Sequence, residues 1–361
     1  MLAAVIERPG TVVVREVPAP QAAGLTLVRV GVAGICGTDR KLAAGVFPVT
    51  APRVLGHEMT GWVEVPGPGG AAPAGARVVV NPAAFCGLCR ECRRDLPHLC
   101  ARGGLLGRDL DGCFAEYVAV PETLLHPLPA GVTADEAALI QVLSTCVHAL
   151  SGVTVSPEAS AVVTGLGVTG LLHVQLLRAM GVRAIVGVTR AAWKRDLALA
   201  CGASAVVTPG GAAAAVAGAT GGQGADIVIE CAGTAATLAQ SIRLAGPGAT
   251  VIMFGTVRSA DGLPAYEGYL KELTIRCPRA SRPRDFDTAI RLCAERRLDV
   301  TPLVTGNTPA ASLRSVPQMP ATPTRTSASP AARGAGTSRT VTAPGRSMTA
   351  ASMVQCSHRP A

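Results

Sequence analysis

The chain divides by the rhythm of its apolar positions. Up to about residue 150 they come in short β-branched runs closed by Gly and Pro: "TVVVREV", "LTLVRVGVAG", "TGWVEV" and "ARVVVNP". Such runs predict the short strands of a β-rich unit. After Gly152 the rhythm changes. "ASAVVTGLGVTGLLHVQLLRAMGVRAIVGVTRAAWKRDLALACGA" reads as strand, turn, helix, strand, helix, with further strands at "ADIVIECAG" and "ATVIMFG". "GGAAAAVAGATGGQG" fits between strands as a helix and turn. Strands alternating with helices predict a parallel sheet covered on both faces. From Gly306 the periodicity stops, and residues 306–361 hold no aromatic and no acidic residue. Such a stretch buries too little apolar area to offset its chain entropy, so disorder is expected there.

Composition adds limits. A chain of 361 residues, 48% hydrophobic, is long enough for two domains. The most apolar window, "EAALIQVLSTCVHALSG", is interrupted by Gln141, Ser144, Thr145 and His148, too polar for a membrane span. The opening "MLAAVIERPG" reaches Glu7, Arg8 and Pro9 too soon for a secretory leader. A soluble, cytoplasmic protein is expected. The net charge of +9 suggests nucleic acid until it is located. Residues 306–361 carry six Arg and no Lys, Asp or Glu, which leaves +3 on the first 305 residues. That is a basic tail on a near-neutral body, so no nucleic-acid or membrane partner is expected.

Of 12 cysteines, eight are scattered and four are clustered in "CGLCRECRRDLPHLC". A scattered set with no export signal argues against a disulfide framework. Cys86, Cys89, Cys92 and Cys100 follow C-x2-C-x2-C-x7-C. Thiolates so spaced can converge on one tetrahedral zinc, and four of them leave no position open for water or substrate. The site is expected to be structural, with Arg90, Arg93 and Arg94 offsetting its negative charge. A second, open site has its candidates in "GICGTD" (Cys36, Thr38, Asp39), "GHEMTG" (His57, Glu58) and "ALIQVLSTC" (Gln141, Cys146).

"AVVTGLGVTGLLHVQLLRAMG" sets Gly165, Gly167 and Gly170 between a predicted strand and helix. Glycines at this spacing allow a tight turn, backbone approach to a pyrophosphate and close helix packing. At the end of the second strand, where an acid would hold the ribose hydroxyls of NAD, stand Thr189 and Arg190. Arg190 can pair with a 2′-phosphate, helped by Lys194 or Arg195, so NADP is expected over NAD.

Taken in order, "CGTD", "GHE", the four-cysteine lobe, "GLGVTG" and "LDVTPLVT" make residues 1–305, about five-sixths of the chain, resemble the zinc-dependent medium-chain alcohol and polyol dehydrogenases. The resemblance implies an α/β protein: a GroES-like, β-rich catalytic domain plus a Rossmann doubly wound parallel sheet. The expected domains are 1–150 (catalytic, with the zinc lobe at 86–100), 151–277 (dinucleotide-binding), 278–305 (a return segment) and 306–361 (an atypical tail). It also implies two zinc ions, one structural and one catalytic, and a homodimer or homotetramer. Cys36 and His57 match catalytic zinc ligands. Thr38 matches the hydroxyl that relays the proton of the substrate alcohol, Asp39 a carboxylate that orients the ligand histidine, and Glu58 a carboxylate close to the metal. Zinc would lower the pKa of the alcohol, whose hydride then passes to the nicotinamide.

This chain departs from the family at three places. The third ligand position holds Gln141 instead of Cys or Glu, which leaves three outcomes: the amide oxygen binds, Glu58 swings in, or water takes the place. Glu58 with water is the expectation, and Cys146 and His148 read as core residues. Arg40 and Lys41 stand where many relatives carry a relay histidine; either the proton leaves through water or a cation meets an anionic group of substrate or cofactor. Beyond "PLVT" the family pattern is lost. The text that follows is of the kind a shifted reading frame of a GC-rich gene yields, a natural divergent extension being the alternative. An exposed sheet edge and lower stability are expected.

The substrate is expected to be a small alcohol or carbonyl. Two rival readings exist: a zinc-stabilised nucleotide-binding protein with a decayed catalytic site, and a zinc-independent enone or quinone reductase.

Overall fold

The computed structural model describes residues 1–304 apart from 157 and 260, and the strand residues 307–309 and 353–355. The first half begins with β1 (Leu2–Arg8), β2 (Thr11–Glu16), β3 (Thr26–Gly34), α1 (Gly37–Ala43), β4 (Arg53–Val54), β5 (Glu58–Val65) and β6 (Arg77–Val80). The cysteine lobe supplies β7 (Ala83–Ala84), α2 (Arg90–Arg93) and β8 (Gly104–Leu105). Then come β9 (Tyr117–Val120), β10 (Leu125–Pro127) and the long helix α3 (Ala134–Leu150). The predicted runs are thus β2, β3, β5 and β6. Strands β10, β6, β5 and β3 join in that order, with β9 also on β3. Their inward valines, among them Val28, Val30, Val63, Val78 and Val80, form one core. Each contributes on the order of 1.5–3 kcal/mol by leaving water.

The second half runs β11 (Ser160–Thr164), α4 (Val168–Ala179), β12 (Ala184–Val188), α5 (Lys194–Ala200), β13 (Ala205–Val207), α6 (Ala212–Thr220), β14 (Ala225–Glu230), α7 (Ala235–Leu244), β15 (Ala245–Met253), α8 (Ala265–Leu270) and β16 (Thr274–Arg276). Its six strands are parallel, in the order β13-β12-β11-β14-β15-β16. Side chains alternate across such strands. Ala161, Val163, Ile185, Ile227, Ile229 and Ile252 enter the core under α3, α4 and α9 (Pro283–Ala294). Their neighbours Val162, Val186, Val228 and Val251 enter the core under α6 and α7. Two apolar faces explain why these strands read as continuous β-branched runs, and helices on both faces make the sheet doubly wound. β15 starts earlier than "ATVIMFG" suggests, at Ala245, and its pairing with β14 is irregular between Ala225 and Ile227.

The helix α9 packs back on α3. Thr133 and Glu136 cap α3 reciprocally, the Thr133 N–H donating to Glu136 at 2.7 Å, and Arg296, just past α9, pairs with Glu136. Ser144 meets Ser281 at 2.9 Å, and His148 Nδ1 lies 2.8 Å from Asp285 Oδ2. His148 and Cys146 are buried, as expected of core residues. Among the described residues no helix is long and apolar enough to cross a membrane.

Most of the tail lies outside the described residues. The expectation of a disordered tail therefore falls mostly outside them, and two short pieces of the tail are described as strands. Met353–Gln355 (β18) pairs antiparallel with β3 at Val32, Ala33 and Gly34, and Asn307–Pro309 (β17) pairs parallel with β18. A strand edge offers free N–H and C=O groups to any short extended segment, here "MVQ".

Candidate functional site

The cysteine lobe is built from a single turn region. Sγ atoms of Cys89 and Cys92 are 3.5 Å apart, of Cys89 and Cys100 3.7 Å, and of Cys100 and Cys86 3.5 Å. Four sulfurs at ~2.3 Å from one tetrahedral ion would have edges of about 3.8 Å. The lobe therefore fits zinc by its donor set and its spacing. Backbone N–H groups of Leu88 and Cys89 point at Cys86 Sγ, each at 3.4 Å, and Arg102 reaches it at 3.3 Å. Led by the Leu88 N–H, they pull the Cys86 thiol down to about 6. Arg102 thus sets a positive charge beside the thiols, a role the sequence also suggests for Arg90, Arg93 and Arg94. Arg102 stands outside the cysteine quartet, where sequence spacing gave no signal for it.

The second cluster forms where β3 ends beside the start of β5. Gly34 pairs with Glu58, so Cys36, two residues past Gly34, comes beside His57 and Glu58. One donor atom from each of Cys36, His57 and Glu58 lies within 4.8 Å of the others. His57 and Glu58 are buried. Burial and the Glu58 carboxylate push the Cys36 thiol up, and burial likewise raises Glu58. Burial opposes charge on His57, yet Asp39 and Cys36 outweigh it and its pKa is raised well above the ordinary value. A buried thiol, imidazole and carboxylate that each disturb the others suit a divalent cation.

Asp39, on the first turn of α1, holds two positions at once. Its Oδ2 accepts the Cys36 N–H at 2.8 Å, and its Oδ1 sits 3.1 Å from His57 Nδ1, off the line of a well-formed hydrogen bond. Thr38 is half-buried beside it. Gln141 is buried on α3 and its main-chain carbonyl accepts the Ser144 hydroxyl at 2.7 Å. One turn before it, Ala138 packs on Val32 of β3. Gln141 thus lies on the helix that covers the β3–β5 region.

The glycine turn lies between β11 and α4. Gly165 has φ +91°, and a Cβ there would come within 2.8 Å of the Ala232 N. A Cβ on Gly170 would strike the Gly165 carbonyl, so the helix could not pack so close. Gly167, at the N-terminus of α4, faces open space, the position a pyrophosphate would take. A residue missed in the sequence supports this turn. Glu230, fully buried at the end of β14, accepts the N–H groups of Ala232 and Gly233 at 2.8 Å and the Thr237 hydroxyl at 2.7 Å. At the end of β12, Thr189 Oγ1 accepts the Ala191 N–H at 3.2 Å, and Arg190 is exposed. Lys194 starts α5, its Nζ 5.1 Å from the Trp193 ring centroid.

Comparison with known proteins shows the family. The family model described as an alcohol dehydrogenase GroES-like domain matches residues 22–130, and the one described as a zinc-binding dehydrogenase matches residues 168–295. The 2-dehydro-3-deoxy-L-galactonate 5-dehydrogenase of Pseudoalteromonas atlantica is 32% identical over 301 residues, 82% of this chain and 88% of that protein. The D-xylulose reductase A of Aspergillus oryzae is 30% identical, covering 81% of this chain and 85% of its own. Among solved structures, a zinc-binding dehydrogenase from Sinorhizobium meliloti 1021 bound to NADP superposes with a TM-score of 0.82 at 29% identity, over 98% of both chains. An alcohol dehydrogenase from Thermus sp. ATN1 gives 0.81 at 32% identity, over 87% of this chain and 95% of its own.

Proposed function

The chain belongs to the zinc-dependent medium-chain dehydrogenases, and on that premise we propose that it passes hydride between a secondary alcohol of a polyol and NADP. The observation that carries this reading is the convergence of Cys36, His57 and Glu58 from two separate segments. These three would hold the catalytic zinc, with Gln141 on the covering helix and a water completing the sphere. When bound, zinc supplies Lewis-acid polarisation of the substrate oxygen. The protein's part is orientation and proton handling. Asp39, its Oδ1 3.1 Å from Nδ1 of His57, would orient the ring and leave Nε2 for the metal. The Thr38 hydroxyl takes the alcohol proton and passes it to water, because Arg40 and Lys41 follow Asp39 where a relay histidine would stand. Cys86, Cys89, Cys92 and Cys100 would hold a second, structural zinc.

The nucleotide would lie across the ends of β11 and β12, its pyrophosphate at Gly167. Arg190, with no carboxylate paired to it among the described residues, supports a 2′-phosphate there. Pairing of two copies is favoured by the last strand of the parallel sheet. Among the described residues β16 has one neighbour, and its Ile275 and the nearby Tyr266, Tyr269 and Leu270 are 49–77% exposed. The names of the relatives point to sugar derivatives as the substrate class.

The test is metal analysis together with titration and turnover of the purified chain. Two zinc ions per chain and NADP-linked oxidation of a polyol, abolished by a chelator, are expected. NADPH should bind at least about tenfold tighter than NADH, and Arg190→Ala should close that gap, since a charge-assisted hydrogen bond is worth about 1.5–3 kcal/mol. One zinc without turnover would point to a nucleotide-binding protein with a decayed site. Turnover without zinc would point to a reductase that acts directly on enones or quinones.

A further inference from the structure

Three cations stand on or against the segment that follows Cys36, and none of them is paired with a carboxylate among the described residues. Arg40 and Lys41 lie on α1, four and five residues beyond Cys36. Arg258 comes from the other half, five residues after the end of β15. Arg258 links the two halves: its Nη1 donates to the Val46 carbonyl at 3.5 Å. Val46 and Phe47 in turn donate their N–H groups to the Lys41 carbonyl at 2.8 and 3.2 Å. Lys41 Nζ sits 5.1 Å from the Phe47 ring centroid. The segment from Lys41 to Phe47 therefore gathers Lys41 and Arg258, one from each half. Among the described residues none of the three cations pairs with a carboxylate, whereas Arg53 is held by Asp111 and Arg243 by Glu267.

Position says which ligand they would meet. Ligands of an open parallel sheet lie beyond the carboxyl ends of its strands. Thr189 and Arg190 follow β12, whereas Arg258 follows β15, with β11 and β14 between them. Three strand spacings of ~4.8 Å separate the two places by about 14 Å. Arg258 is thus remote from the adenosine end of the cofactor and near the end where the two halves meet. Uncompensated cations at a cleft mouth concentrate anions, and an Arg–Lys pair complements a carboxylate or phosphate.

We propose that the substrate is an anionic polyol, a sugar acid or a sugar phosphate, whose charged group is held at the cleft mouth by Arg258 and Lys41. Its carbinol carbon then reaches the cluster of Cys36, His57 and Glu58. The proposal rests on the dehydrogenase reading given above.

The test is a matched set on the full-length zinc enzyme: a neutral hexitol, the corresponding aldonate and the hexitol phosphate. The expected result is a kcat/KM at least about tenfold higher for one of the anions than for the hexitol, carried mainly by KM and weakened by salt. The carboxylate and phosphate arms identify which anion is read. Arg258→Gln and Lys41→Gln should each cut that anion-to-neutral ratio about tenfold, with NADPH titration confirming that the variants are folded. A hexitol used as well as either anion, or variants that slow all three substrates alike, would overturn the proposal and leave the dehydrogenase reading standing. No turnover of any of the three overturns both.

Discussion

Replacing His57 with Ala is expected to lower kcat/KM about a thousandfold or more and to remove one zinc per chain. Among the described residues His57 is clustered with two other donors, a thiol and a carboxylate whose pKa values burial has raised. Without the imidazole, the metal must compete with protons at both. Loss of a residue that merely orients a ligand already costs about 10–100-fold in affinity or activity, so loss of the ligand costs more. Lewis-acid stabilisation is worth several kcal/mol, and each ~1.4 kcal/mol is tenfold in rate. The substitution also strands Asp39, which is buried and has Oδ1 facing Nδ1 of His57. Asp39→Asn is the graded control: it keeps the shape and should cost one to two orders of magnitude. Metal analysis and steady-state kinetics on the same preparations decide the matter. An H57A enzyme that keeps both zinc ions and its activity would refute the assignment of this cluster.

Cys100→Ser is expected to have a different signature. It should remove the other zinc, leave catalysis measurable in freshly prepared protein, and lower thermal stability by several degrees. Cys100 Sγ lies within 3.5–3.7 Å of Cys86 and Cys89, so a shorter, weaker serine donor opens the tetrahedron. Structural zinc sites hold their fold by metal binding alone in small domains, where binding is worth about 10–16 kcal/mol. Here the loss should stay local, because two large cores of the molecule lie outside the lobe. Asp95 of the lobe is 2.6 Å from Arg284 and 3.7 Å from Arg282 at the start of α9. Calorimetry and limited proteolysis between residues 86 and 103 provide the measurements. A C100S protein with unchanged metal content, melting temperature and cleavage pattern would contradict the structural role.

The sequence was most legible where local rules act alone. The parallel strands declared themselves because β-branched residues fill both faces, and Gly165 and Gly170 because no Cβ fits at either. The four cysteines were legible because their spacing is local. Partners distant in sequence were not. Ser144 meets Ser281 and His148 meets Asp285 across 137 residues, and nothing in either segment names the other. Arg102 was missed because three other arginines stand between the cysteines in the text, whereas it follows the last of them. β17 and β18 were missed because neither has a period to read; β18 is a strand through the edge of β3, and β17 through the edge of β18. At the open metal site, Cys36 and His57 were legible as types in context. Their approach depends on the register of β3 against β5, which only the fold fixes.

The lobe's ligands come from one stretch of fifteen residues, whereas the cleft needs parts more than two hundred residues apart. Closing a short loop costs little chain entropy, and chains emerge from synthesis N-terminus first. The lobe can therefore take up its ion before α9 exists to lean on it, and it waits as a finished abutment for the last helix. A peptide of residues 80–110 should accordingly capture zinc by itself, and failure to do so would mean that the metal enters only after the molecule has closed.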